Sequence, residues 1–315
     1  MKMPSLATFV GSLCIVVSGA FAADEPKGPT PTMANVPYGA HERQVLDFYR
    51  SGSSDSAPLV FVIHGGGWRG GDKATAIKLG AEKYLAAGLA VVSINYRYVQ
   101  QAQEAGVKPP VEWPLHDAAR ALQFVRSKAN EWNIDPKRVG ATGSSAGACS
   151  SLWLAFHPDM ADPASDDPVA RESTRLTCAG VFGAQTCLDP RLMREWMPNM
   201  AYGGHAFGFF SKGPNGESPF EQFYQHREEV LPWIKEYSPY NLVSKDDPPV
   251  MLEYSAPIDP AKLPKDPTHS AIFGVKLAEK IHEVGGTVYL TYPDGPECTY
   301  PGVADFLITT LQDKQ

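Results

Sequence analysis

The sequence predicts an α/β fold: a mainly parallel central sheet flanked by helices, with one inserted segment. Three observations carry that expectation. Apolar runs at residues 59–63, 89–98, 178–186, 249–254 and 288–292 read as strands buried on both faces. Between several of them, apolar residues recur at helical spacing, as in Leu115, Ala118, Leu122, Val125 and Ala129. Strand and helix alternate, and parallel neighbours need a crossover of that kind.

Taken in order, residues 1–22 have the form of an export signal. Lys2 is followed by an apolar stretch at residues 6–17 and by Ala20-Phe21-Ala22, an A-x-A cleavage site before Ala23. The apolar stretch is short for a membrane span, and no later segment is suited to one. The expected product is therefore an exported chain, periplasmic or extracellular. Residues 36–38 and 44–49 read as an opening hairpin, and residues 59–63 as a strand that stops at a glycine loop. Residues 74–87 are expected to be helical up to Gly88, residues 89–98 to form a strand, and residues 115–132 an amphipathic helix. Residues 189–245 break the alternation and are rich in aromatic residues and Met, among them Met193, Trp196, Phe207, Phe209 and Phe220. They read either as a cap over the site or as an excursion packed on the sheet. His205, within Gly203-Gly204-His205, is placed to line a pocket there. A helix is expected from His269 or Ser270, with Phe273, Leu277, Ile281 and Val284 on one face and Gly285-Gly286 closing it. A last strand at residues 288–292 and a helix at residues 303–311 complete the chain.

Composition narrows the function classes. A chain of 315 residues that is 43% hydrophobic can bury a large core. Its net charge of -7, without a long basic run, argues against nucleic acid as a partner. No His, Cys or carboxylate cluster has metal-ligand spacing, and no G-x-G-x-x-G fingerprint occurs, so neither metal nor cofactor is expected. Export permits disulfides among Cys149, Cys178, Cys187 and Cys298. Cys178 and Cys187 bracket an extended stretch of roughly 30 Å, too long to bridge. A pair involving Cys298 stays open.

The chemistry concentrates in two glycine motifs, each directly after an apolar run. Gly143-Ser144-Ser145-Ala146-Gly147 fits G-x-S-x-G, and its setting is a tight strand-to-helix turn. A serine hydroxyl is a poor nucleophile and must stand exposed on a sharp corner where a base can reach it. The flanking glycines remove side chains that would collide across the corner. Upstream, His64-Gly65-Gly66-Gly67-Trp68 has the form of a loop whose backbone N–H groups hold an oxyanion.

With both motifs placed, the chain resembles the α/β-hydrolase superfamily. The likeness is to the esterase and lipase group with an H-G-G-G-W loop, including secreted carbohydrate-esterase-like members. Asn95-Tyr96-Arg97, the helix from Asp117 to Arg126 and Asp135-Pro136-Lys137-Arg138-Val139 match as well. The resemblance implies Ser145 as nucleophile and the N–H groups of Gly65, Gly66 and Ala146 as the oxyanion hole. The acid of such enzymes follows the next-to-last strand, where Asp259 stands, with Asp189 as the alternative. The histidine normally follows the last strand, but residues 292–300 hold none, and none follows His282. By elimination and position, His269 is the candidate base, set against a plain role in holding its loop. The expected activity is cleavage of a carboxylic ester through an acyl-enzyme, on a small-molecule or carbohydrate-linked acyl substrate. An amidase-type reaction is a variant of it. The rival is a pseudo-hydrolase that binds a ligand and has lost its base.

Overall fold

The computed structural model describes residues 28–74 and 78–313; the expected signal segment, residues 1–22, lies outside them. The described chain begins β1 (Met33–Pro37), β2 (Val45–Tyr49), β3 (Ala57–Ile63), α1 (Ala81–Ala86), β4 (Ala90–Ile94), α2 (Val99–Glu104), α3 (Glu112–Ser127) and α4 (Ala129–Trp132). It continues through β5 (Ile134–Ser144), α5 (Ala146–Phe156) and β6 (Cys178–Phe182). Then come α6 (Pro190–Trp196), α7 (Pro219–Gln225), α8 (Arg227–Tyr237), α9 (Pro239–Leu242) and β7 (Val250–Glu253). The last elements are α10 (Ile272–Glu283), β8 (Val288–Thr291) and α11 (Val303–Gln312).

The strands form one eight-stranded sheet in the order β1-β2-β4-β3-β5-β6-β7-β8. β1 and β2 pair antiparallel, β2 pairs antiparallel with β4, and the pairs from β4 onward are parallel. Alternation within β3 explains the two-sided core. Leu59, Phe61 and Ile63 join the cluster with Trp132 and Trp153, whereas Val60 and Val62 join Tyr84, Met251 and Phe306 on the other face.

Several boundaries differ from expectation for local reasons. The 89–98 run is strand only to Ile94, because the next side chain turns to the loop after β3. Asn95 donates to Asp72 at 2.8 Å and accepts from the Lys73 N–H at 2.7 Å. The 178–186 run ends at Phe182, where Gly183 adopts φ 54° and turns the chain. The predicted 115–132 helix begins at Glu112 and breaks at Lys128, leaving α4 as a separate turn. Of the predicted 74–87 helix, α1 is the described part, and residues 75–77 lie outside the described residues.

Helices α6 to α9 lie between β6 and β7 and are tied to the main body by polar anchors. Asp189 caps α6 by accepting from the Arg191 N–H at 2.9 Å. Its two oxygens also take Arg227 side-on, at 2.8 Å from Nε and 2.5 Å from Nη2, which fastens the start of α8 to that of α6. Trp153 of α5 donates to the Glu236 carbonyl of α8 at 3.0 Å. Asp189 is thus engaged in holding the inserted helices.

All four described cysteines are free. Cys178 and Cys187 belong to core clusters on different faces of the sheet. Burial pushes the Cys187 thiol up to about 12, so it behaves as an inert core group.

Asp189→Ala removes one partner of a pair whose carboxylate is 2% exposed. It is expected to cost about 1–3 kcal/mol in a urea denaturation series, since the α6 cap and the bidentate bond to Arg227 are lost while Arg227 keeps Glu228 at 2.9 Å. Activity per folded molecule should be retained. A large loss of turnover with unchanged stability would instead mark Asp189 as part of the chemistry.

Candidate active site

The parallel strands β3, β5, β6 and β7 end on the same edge of the sheet, the edge where open α/β sheets gather their functional loops. Ser145 is the single residue between β5 and α5 and has φ 53° and ψ -121°. Two backbone bonds hold it in that conformation. Its N–H donates to the Phe182 carbonyl at 3.0 Å, and its own carbonyl accepts from the Cys149 N–H at 3.0 Å. The flanking glycines are required by close approach. A Cβ on Gly143 would lie 2.6 Å from the Ile63 carbonyl oxygen, and one on Gly147 would strike that same oxygen and lie 2.6 Å from the His64 carbonyl oxygen. The end of β3 passes too near the elbow for any side chain at either position.

The glycine loop after β3 is built around buried aromatic rings. His64 is fully buried, stacks on Tyr96 at 4.2 Å between ring centroids and bonds the Gly65 carbonyl through Nδ1 at 2.8 Å. Burial lowers its pKa to about 4, so it is a neutral structural ring at pH 7. Tyr96 donates to the His64 carbonyl at 2.9 Å. Gly66, Gly67 and Trp68 follow with φ of 101°, 61° and 55°. Trp68 is buried and donates to Ser150 Oγ of α5 at 2.9 Å, which pins the loop to the elbow helix. Gly65 lies directly against the elbow: a Cβ there would stand 3.4 Å from the Ser145 Cβ. Ala146 is the first residue of α5, where helix N–H groups lack partners within the helix.

His269 stands at the end of a 3-10 turn, Pro267–His269, that precedes α10. Its Nε2 lies 2.9 Å from Ser145 Oγ, and its Nδ1 lies 2.6 Å from Asp266 Oδ2. The other carboxylate oxygen of Asp266 accepts from the backbone N–H groups of Thr268 at 3.0 Å and His269 at 3.3 Å. One aspartate therefore sets both the turn and the ring it carries. Burial works against the charge on Asp266. The hydrogen bond and charge of His269, with the two backbone donors, outweigh it and hold the carboxyl below the ordinary carboxylate range. From the far side, buried Gln185 donates to the Thr268 carbonyl at 2.9 Å, and Gly183 lies against the imidazole.

The carboxylate on His269 is thus Asp266, where sequence reasoning pointed to Asp259. Asp259 closes a turn of its own, accepting from the Ala261 N–H at 2.9 Å and from Lys262 Nζ at 2.8 Å. The missed signal was Asp266-Pro267-Thr268-His269. An aspartate followed by proline is a helix-start cap, and capping brings its carboxylate to the third residue after it. Residues 255–272 also wall a cavity of about 410 Å³ beside the histidine, with Ile258, Leu263 and Pro264 among its apolar lining. Among the described residues, no cluster of three or more metal-ligating side chains occurs, and no helix is long and apolar enough to cross a membrane.

Comparison with known proteins agrees with this architecture. The chain is 29% identical over 128 residues to gut esterase 1 of Caenorhabditis elegans, covering 40% of this chain and 23% of the relative. It is 31% identical over 154 residues to the protein named probable carboxylic ester hydrolase LipM of Mycobacterium tuberculosis, covering 47% and 33%. The chain thus spans a third or less of the length of these curated relatives. A solved carbohydrate esterase from gut microbiota, in truncated form, superimposes with a TM-score of 0.63 at 22% identity, covering 84% of this chain and 90% of that one. The fold is that of the α/β-hydrolases, and the BD-FAE family model matches residues 46–257, well over half of the chain, so the protein belongs to the BD-FAE family.

Proposed function

We propose that this protein is an exported serine hydrolase that cleaves a carboxylic ester through an acyl-enzyme on Ser145. The observation that carries the reading is the hydrogen-bonded line from Ser145 Oγ through His269, at 2.9 Å, to Asp266, at 2.6 Å. Those spacings are within reach of proton transfer. In the first half-reaction, Ser145 Oγ attacks the ester carbonyl carbon while His269 Nε2 takes its proton. Asp266 keeps Nδ1 protonated and stabilises the imidazolium. The negative charge on the carbonyl oxygen falls to the N–H groups of Gly65, Gly66 and Ala146, with the N-terminus of α5 behind Ala146. His269 returns its proton to the leaving alcohol, and water, activated by the same ring, then releases the acid. Esterase names among the relatives and a small-molecule or carbohydrate-linked acyl substrate are consistent with this scheme. The motive for the pseudo-hydrolase reading is the absence of a histidine after the last strand, and the 2.9 Å approach of His269 Nε2 to Ser145 Oγ supports the hydrolase reading over it.

An alkyl fluorophosphonate probe tests the nucleophile. An activated serine displaces fluoride and becomes phosphonylated, so intact-mass spectrometry is expected to show one adduct, absent in Ser145→Ala. Turnover in Ser145→Ala should keep only a residual advantage over water of ~10³–10⁴. An unlabelled wild-type protein would favour the pseudo-hydrolase.

The acid is tested by a pair of variants. Asp266→Asn should lower kcat by about 10²–10⁴, and Asp259→Asn should leave it within about twofold. The pH–rate profile adds a separate readout. Activity should fall on acidification, because a protonated His269 cannot accept the Ser145 proton. The opposite ranking of the two aspartates would return the role to Asp259.

Export is tested by expression with residues 1–22 present. The mature product is expected to begin at Ala23 by N-terminal mass spectrometry, and an uncleaved cytosolic chain would overturn it.

A further inference from the structure

Beside the glycine loop lies a second cavity, of about 240 Å³, walled by the loop and by the segment between α6 and α7. Two polar atoms in it are buried without a hydrogen-bond partner: Tyr202 Oη and His205 Nε2. Both converge on Gly67. A Cβ on that glycine would lie 3.5 Å from Tyr202 Oη and 3.7 Å from His205 Nε2. The two rings meet edge-on at 4.8 Å, so each fixes the other. Buried polar groups left unpaired cost free energy, so a ligand that pairs with them gains what they lack.

Arg69 supplies the charge. Its guanidinium lies 5.9 Å from the Phe210 ring centroid and makes no ion pair among the described residues. Burial first, and then the Arg69 charge, lower the His205 pKa to about 4, with the Gly67 carbonyl opposing them, so the ring is neutral at pH 7. Burial raises the Tyr202 pKa, so its hydroxyl keeps its proton to donate. The cavity therefore joins an uncompensated cation, a hydroxyl donor and a neutral imidazole, with Phe209 and Phe210 as apolar wall. A guanidinium with neighbouring donors matches a carboxylate better than a neutral hydroxyl.

We infer that Arg69, Tyr202 and His205 form a subsite for a carboxylate carried by the ester substrate, gathered at Gly67, two residues along the loop from Gly65. The inference rests on the ester-hydrolase reading and names the class of ester: one that is an acid at its far end. That acid lies either on the acyl part, as in a half-ester of a short dicarboxylic acid, or on the alcohol part.

Two matched substrate pairs separate the sources. The mono-4-nitrophenyl ester of glutaric acid against 4-nitrophenyl valerate tests the acyl side. 4-Acetoxybenzoate against 4-tolyl acetate tests the alcohol side. In one pair, the full chain at low ionic strength should show kcat/KM about tenfold higher for the carboxylate, chiefly through KM. Arg69→Gln should cut that ratio about tenfold, Arg69→Glu should invert it, and Tyr202→Phe should reduce it by less. Arg69 is exposed, so these changes are compatible with folding. No preference in either pair, or a preference untouched in both Arg69 variants, overturns the subsite while leaving the esterase reading intact. If neither pair is hydrolysed, the esterase reading falls. Calorimetry with glutarate and with benzoate on wild type and Arg69→Gln then decides the subsite. Binding lost in the variant supports it, and binding of neither acid by wild type overturns it.

Discussion

The site depends on the backbone of one residue. Ser145 occupies φ 53° and ψ -121°, a region that a residue with a Cβ enters at a cost of order 1–3 kcal/mol. The conformation persists because three parallel strands determine it. β5 delivers the chain to Ser145, β6 accepts its N–H through the Phe182 carbonyl, and the end of β3 lies so close that only glycine fits at 143 and 147. The same registration aligns the loops. The glycine loop leaves β3 beside Ser145, and Gly183 leaves β6 beneath the His269 ring. A slip of β5 by one residue would exchange the residues packed on its two faces and dissolve the elbow at the same time. Core packing and site geometry are therefore one constraint.

That coupling explains what was legible in the sequence. Gly143, Gly147, Gly65 and Gly66 stand out because close approach and positive φ leave few alternatives to glycine. The strands β3 and β4 show as apolar runs because they are buried on both faces. Their ends were less visible, since Asn95 leaves the sheet through polar contacts with Asp72 and Lys73 that no periodicity records. His269 could be reached by elimination, but its carboxylate could not be found by counting from the end of β7. Asp259 and Asp266 lie on the same connection, and each accepts a backbone N–H two residues ahead. What separates them is the third residue onward, Lys262 in one case and His269 in the other.

The spacing of Asp266 and His269 also accounts for the placement of the proposed base. A histidine on the loop after β8 would need that loop to be held in place by long-range contacts. Here the carboxylate and the imidazole share one short turn, and the cap that starts the turn is the group that orients the ring. The loop after β8 is then free for packing, and Tyr300 sits edge-on to Tyr289 at 4.8 Å against the cluster of Tyr84, Met251 and Phe306.

This economy has an electrostatic consequence. The side chains of His269 and Asp266 are 41% and 63% exposed, so solvent screens the attraction between them. Asp266 therefore acts chiefly by geometry. It fixes which nitrogen carries the proton and where the ring points, and its charge contributes less than it would in a dry interior. Orientation of that kind survives only if the turn itself is rigid. The structure supplies rigidity from beneath: Gln185 is fully buried and holds the Thr268 carbonyl, while Tyr254 donates to the Ala184 carbonyl at 3.0 Å and stiffens the connection that carries Gln185. The exposed half of the proposed relay thus borrows its precision from the buried ends of β6 and β7, and the end of β6 also holds Ser145 through the Phe182 carbonyl.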